Sequence, residues 1–111
     1  MIKVLAINGS PRKDGNTAIL IQTILAELGK EDIETETIQI GGKKIHGCMA
    51  CMKCFENRDG RCIIDDDIAN SCIQKMREAD GIILGSPVYF LDVTSEMKAL
   101  IDRAGFVSYA N

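Results

Sequence analysis

Ile2-Lys3-Val4-Leu5-Ala6-Ile7, followed by Gly9-Ser10-Pro11-Arg12-Lys13-Asp14-Gly15-Asn16-Thr17, decides how the rest of this chain is read. The first run has the length and β-branched content of a buried strand, and Met1 to Ile7, apolar without alternation, reads as a central parallel strand. The second is a small, polar, glycine-bearing turn, and a long helical pattern starts near Thr17. A strand that breaks into such a turn and then a helix is a recurrent anion site. Free backbone N–H groups point outward at the helix start, where the dipole favours negative charge. Ser10, Asn16 and Thr17 add side-chain donors, and Arg12 and Lys13 add positive charge.

Spacing decides which anion. A Walker A loop needs four residues between its glycines, then Lys and Ser or Thr. Here five residues separate Gly9 from Gly15, and Asn16 stands where Lys is required. The dinucleotide fingerprint needs a glycine two positions after Gly9, and that position is Pro11. ATP hydrolysis and a standard NAD-binding site are disfavoured. A mononucleotide phosphate such as that of FMN suits a loop of hydroxyls and backbone amides. An ordinary βα turn with solvated Arg12 and Lys13 remains the alternative on this loop alone.

Outward from there, Ala18, Ile21, Leu25 and Leu28 recur at three-to-four spacing, with Leu20 and Ile24 widening the stripe and Gly29 as the helix stop. Ile33 to Ile40 alternates as an exposed edge strand does. Asp65-Asp66-Asp67 precedes Ile68, Cys72, Ile73 and Met76, which gives a second helix an acidic start; capping outweighs a metal role for these carboxylates. Gly81 to Gly85 reads as a buried third strand and ends in Ser86-Pro87-Val88-Tyr89-Phe90. Thr94 or Ser95 caps a third helix with Met97, Leu100, Ile101 and Ala104 facing inward. The order βα-βα-βα predicts a doubly wound parallel α/β sheet with helices on both faces, three layers in all. Ligands in such sheets sit at the carboxyl ends of strands near the switch point, where the loops after strands one and three converge.

The 111 residues make one domain, 1–111, with a cysteine-rich loop at 41–64. The net charge of −3 and the lack of a basic cluster exclude nucleic acid as the main partner. No stretch approaches membrane-spanning length, and no charged segment leads into an apolar leader, so a cytoplasmic protein is expected. Thiols stay reduced there, so the five cysteines point to metal or redox chemistry rather than disulfides. Cys48, Cys51 and Cys54 recur at two-residue intervals, with Cys62 seven residues further on. Three such cysteines can wrap one small cubane while the fourth returns from a flexible segment, as in a [4Fe–4S] site. Zinc more often takes two separated knuckles, and free or dithiol cysteines are the third possibility. Cys72 lies on an apolar helix face and reads as core, and His46 and Lys43, Lys44 and Lys53 as solvated loop residues. Tyr89 and Phe90 are equally suited to flank a flat ring or simply to pack.

Together, Gly9-Ser10-Pro11-Arg12 to Thr17, the Cys48 to Cys62 loop and Gly85-Ser86-Pro87-Val88-Tyr89-Phe90 resemble the iron–sulfur flavoproteins within the flavodoxin-like NADPH-dependent FMN reductase family. The resemblance runs in register over the whole chain. It implies that Ser10, Arg12, Asn16 and Thr17 hold the FMN phosphate, with Gly15 allowing close backbone approach. It implies that Pro87, Val88, Tyr89 and Phe90 lie along the ribityl chain and ring, and that Cys48, Cys51, Cys54 and Cys62 bind [4Fe–4S]. Members of that family run to nearly twice this length, so the chain is expected to be truncated after its third βα unit: either it is a fragment, or its bare third strand is covered by a second copy in a homodimer or higher homo-oligomer. The expected activity is an FMN-dependent oxidoreductase taking electrons from NAD(P)H or a redox protein. A cluster-free NAD(P)H-dependent FMN or quinone reductase is one alternative, and a non-catalytic metal-binding or redox-sensing module another.

Overall fold

The computed structural model describes all residues from Met1 to Asn111. Strand β1 (Lys3–Asn8) leads to helix α1 (Asn16–Gly29), strand β2 (Glu34–Gln39), the short helix α2 (Lys53–Asn57), helix α3 (Ala69–Glu78), strand β3 (Gly81–Gly85) and helix α4 (Ser95–Ala110). The sheet order is β2-β1-β3 and both pairings are parallel. Parallel pairing follows from the connections, each of which carries the chain back to the same end of the sheet. Register places Leu5 between Glu36 and Ile82, and Ile7 between Ile38 and Leu84.

Successive β1 side chains point to opposite faces. Leu5 and Ile7 meet Cys72 and Ile73 of α3 and Met97, Leu100, Ala104 and Val107 of α4 in the main core. The other face takes α1: a Cβ on Gly85 would lie 2.9 Å from Ile21 Cδ1 and 3.1 Å from Thr17 Cγ2. Helices therefore cover both faces, as the βα order predicts.

Several expectations change. β3 is half-exposed rather than buried, because no strand pairs with its outer edge: Ile82 is 44% and Leu84 46% exposed. Leu20 and Ile24 of α1 are exposed as well, so the apolar stripe of that helix is wider than the sheet beneath it. Gly29 is the last helical residue, and the left-handed turn falls at Asp32 instead. The three aspartates precede α3, which starts at Ala69; Asp67 Oδ1 accepts from the Ala69 N–H at 3.0 Å, while no acidic residue lies within the first turn itself. Ile101 lies toward solvent, and Arg103 takes an inward position on α4. The cysteine segment, aperiodic in sequence, contains one short helix, α2. Cys72 is buried as read, and burial pushes its thiol pKa up. No helix is long and apolar enough to cross a membrane.

Candidate functional site

The loops after β1 and β3 meet at the carboxyl ends of their strands and enclose a cavity of about 170 Å³ lined by Ser10, Arg12, Gly15, Asn16, Thr17, Pro87 and Tyr89. The β1 side of this cavity is tightly built. Asn8 Oδ1 accepts from the Ser10 N–H (2.9 Å), Ser10 Oγ accepts from the Arg12 N–H (3.1 Å), and Gln39 Nε2 donates to the Ser10 carbonyl (2.9 Å). The Gly9 N–H donates to the Gly85 carbonyl at 2.8 Å. Gly41 packs against the back of the loop so closely that a Cβ there would sit 2.1 Å from the Ser10 carbonyl carbon and oxygen.

Helix α1 opens onto this cavity without a cap. Its N-cap residue, Gly15, has no side-chain oxygen to offer, and the first turn holds no acidic residue. The backbone N–H groups of Asn16, Thr17 and Ala18 have no acceptor within the chain. Three free donors, the positive end of a helix dipole and the hydroxyls of Ser10 and Thr17 make a cradle for a dianionic phosphate, with Arg12 beside it. That arrangement suits the terminal phosphate of a mononucleotide.

The β3 side differs from the sequence reading in one respect. Pro87 and Tyr89 line the cavity, while Val88 and Phe90 do not. Val88, Phe90 and Leu91 are solvent-exposed. Tyr89 and Asp92 exchange backbone hydrogen bonds at 2.8 and 3.1 Å across a tight turn. Its two corner residues, Phe90 (φ 36°) and Leu91 (φ 74°), both occupy the left-handed region. Such corners ordinarily take Asn-Gly.

The four clustered cysteines occupy a second place. Cys48, Cys51, Cys54 and Cys62 line one apolar hollow of about 20 Å³, walled by Met49, Ile64, Phe106, Val107 and Arg103. As it stands the hollow has room for about one water. No three His, Cys, Asp or Glu side chains form a group that could hold a metal ion. The donor set is nevertheless the thiolate chemistry of an iron–sulfur centre, gathered on one apolar wall. Ala50 (φ 52°) and Met52 (φ 64°) hold the loop in left-handed conformations that non-glycine residues rarely adopt.

Cys62 is the most firmly held of the four. Asn70 Oδ1 accepts from its N–H (2.8 Å), Asn70 Nδ2 donates to its carbonyl (2.9 Å), and Arg103 Nε donates to its Sγ (3.3 Å). Arg103 also donates to the carbonyls of His46 (3.0 Å) and Ile64 (2.6 Å) and to Asp67 Oδ2 (2.6 Å). Burial pushes the Asp67 carboxyl pKa up, but hydrogen bonds from Arg103 and from the His46 and Ala69 N–H groups, with the Arg103 charge, bring it below the ordinary range. Burial lowers the Arg103 pKa in turn, and Asp67 and Cys62 together raise it above its usual value. His46 contributes its backbone, and its side chain is exposed.

Sequence reasoning missed Arg103, Asp67 as an ion-pair partner and Asn70. The signal for Arg103 was present: it falls three residues after Leu100 and four before Val107, on the stripe that faces the core.

An open parallel sheet ordered 2-1-3, with its cavity at the β1/β3 switch point, defines the flavodoxin-like class. Comparison narrows the class. The model of the NADPH-dependent FMN reductase family matches residues 2–111, and the chain belongs to that family. It is 47% identical over 103 residues to an iron–sulfur flavoprotein of Methanocaldococcus jannaschii, covering 93% of this chain and 52% of that one. Among solved structures it superposes on an apo NADH:FMN oxidoreductase (TM-score 0.64, 24% identity, 92% of this chain and 49% of that chain). It also superposes on an azoreductase from Bacillus anthracis (TM-score 0.70, 17% identity, 96% and 55%). The chain spans about half the length of the curated relatives it matches.

Proposed function

We propose that this chain forms the cofactor-binding part of an FMN-dependent oxidoreductase in which FMN is paired with a [4Fe–4S] cluster. The observation that carries the flavin half is the uncapped start of α1, with three free N–H groups opening on a cavity that Pro87 and Tyr89 close from the β3 side. Ser10, Arg12, Asn16 and Thr17 would hold the phosphate, and Gly15 leaves the backbone open to it. Pro87, Val88, Tyr89 and Phe90 would border the ribityl chain and ring. FMN, when bound, supplies one- and two-electron chemistry, and a cluster supplies single electrons.

Cys48, Cys51, Cys54 and Cys62 are the proposed cluster ligands. The hollow must widen to admit a cubane, and the exposed limb Met49–Met52 is the part free to move, because Cys62 is clamped by Asn70 and Arg103. No general acid–base pair lines the flavin cavity, so the residues bind, orient and exclude water. Reduced thiols suit the cytoplasm, and NAD(P)H or a redox protein is the proposed donor. A second copy of the chain is the proposed cover for the open β3 edge, and a monodisperse monomer by light scattering at micromolar concentration would count against it.

A second reading, a cluster-free NAD(P)H-dependent flavin or quinone reductase, is favoured by one observation: the thiols are not drawn together into a metal-holding group. The spectrum of anaerobically purified protein, with iron and sulfide assayed alongside, separates the two. Flavin bands over a broad iron–sulfur shoulder are expected. Serine at any of the four clustered cysteines should abolish the shoulder, whereas Cys72→Ser should keep it. Flavin without iron selects the second reading, and neither signal rejects both.

A further inference from the structure

Thr94 does more than cap a helix. Its Oγ1 accepts from the Met97 N–H at 3.3 Å, which is the cap, but the hydroxyl proton goes elsewhere. It is donated to the Gly9 carbonyl at 2.8 Å, across 85 residues of sequence. The Thr94 N–H donates to Ser86 Oγ at 3.0 Å, and Ser86 Oγ–H donates to the Pro87 carbonyl at 2.8 Å. Thr94 is buried (1% exposed). One side chain and its own peptide thus touch the loop after β1 and the loop after β3, the two walls of the 170 Å³ cavity. A Cβ on Gly9 would lie 3.0 Å from Thr94 Oγ1 and 3.1 Å from Met97 Cε, so the contact has no slack on the β1 side.

A cap needs only an acceptor. The long-range donor bond to Gly9 fixes the peptide that leads into Ser10, and through Ser86 the same residue fixes the peptide that leads into the Pro87–Tyr89 wall. We infer that Thr94 is a positioning residue that sets the width of the phosphate end of the cleft and so makes this site prefer a phosphorylated flavin over its unphosphorylated parent. This rests on the flavin reading above. Thr94 itself touches no ligand; it acts through Gly9 and Ser86.

The test compares FMN with riboflavin on the chain as it stands, by titrated quenching of flavin fluorescence. Thr94→Val removes both the donor to Gly9 and the cap; Thr94→Ser keeps both. Loss of one buried hydrogen bond at the phosphate wall predicts about tenfold weaker FMN binding in Thr94→Val, unchanged riboflavin binding, and full rescue in Thr94→Ser. Ser86→Ala, which leaves the α4 cap intact, guards against a variant that does not fold. It should weaken FMN by a smaller factor, again with riboflavin unchanged. Equal loss of both flavins in Thr94→Val and Ser86→Ala would show a merely structural role and overturn the assignment. Unchanged FMN binding in a folded Thr94→Val would overturn it too. A wild-type chain that binds neither flavin rejects the flavin reading itself, and the assignment with it.

Discussion

Arg103 and Asp67 form a buried ion pair, Nη1 to Oδ2 at 2.6 Å, with the two side chains 0% and 3% exposed. The pair joins α4 to the segment that leads into α3. Around it Arg103 spends its other donors on Cys62 Sγ and on the His46 and Ile64 carbonyls, so the guanidinium is the point where both limbs of the cysteine loop are tied to the core. A buried pair of this kind costs desolvation that mutual attraction and hydrogen bonds must offset, and removing one partner leaves the other charge stranded. Arg103→Met should therefore destabilise the fold by about 3–5 kcal/mol in urea unfolding, and Arg103→Met with Asp67→Leu should recover a large part of that loss. Additive losses in the double variant would mean that the pair carries no coupling.

The same pair should contribute to the acid limb of stability. The Asp67 carboxyl pKa is depressed in the folded state, so the unfolded chain takes up the proton first. Its contribution is fully present above the unfolded value, about 3.9, and is lost as pH falls through the lower folded value. Unfolding free energy measured from pH 6 down to pH 2 should fall steeply below about pH 4. In Asp67→Asn that acid limb should be shallower, from a lower plateau. Parallel curves would assign the acid sensitivity to other carboxylates, such as Glu36, which Lys75 holds below its ordinary value.

The turn at Phe90-Leu91 holds two bulky residues at positive φ and leaves both exposed. Each left-handed non-glycine residue costs roughly 1–2 kcal/mol. Phe90→Asn with Leu91→Gly should relieve part of that cost and raise stability by about 1–2 kcal/mol in thermal or urea unfolding. If the strain is kept for the flavin ring, the same change should weaken FMN binding. A gain in stability with unaltered FMN affinity would remove Phe90 from the flavin site.

Gly41 sits where a side chain would strike backbone: 2.1 Å from the carbonyl of Ser10. Gly41→Ala must push the loop between β1 and α1 forward. A cost of about 1–3 kcal/mol in unfolding and at least tenfold weaker FMN binding are expected. Gly29→Ala, at a position with open space around it, serves as the control.

How much of this was legible in the chain depends on where the information lies. β1, its glycine loop and α1 were legible because apolar run, turn residues and helical period are local signals. The convergence of the Ser10 and Pro87 loops followed from the rule that parallel strands deliver their loops to one end of a sheet. The half-exposure of Ile82 and Leu84 was not legible from their composition, since an apolar strand has the same residues whether or not a neighbour covers it. Asp67 was legible as a partner for the start of α3, whose Ala69 N–H it accepts, but not as an ion-pair partner, because Arg103 is 36 residues away on another helix, a pairing no local spacing encodes. Thr94 was legible as a cap for the complementary reason: Met97 is its neighbour in sequence, while Gly9 is not.

Thr94 caps helix α4, and Arg103 follows nine residues later, about 14 Å along the axis at 1.5 Å per residue. The two cavities are therefore spaced by a single rigid rod rather than by the loops that line them. Loops that breathe can change how each cavity is shaped, but not how far apart the Ser10–Pro87 cavity and the cysteine hollow stand. One residue inserted between Lys98 and Asp102 would lengthen the rod by only about 1.5 Å, yet turn its far half by roughly 100°. Arg103 would then face away from Cys62 while Thr94 kept its grip on Gly9, cutting the molecule's internal yardstick in two.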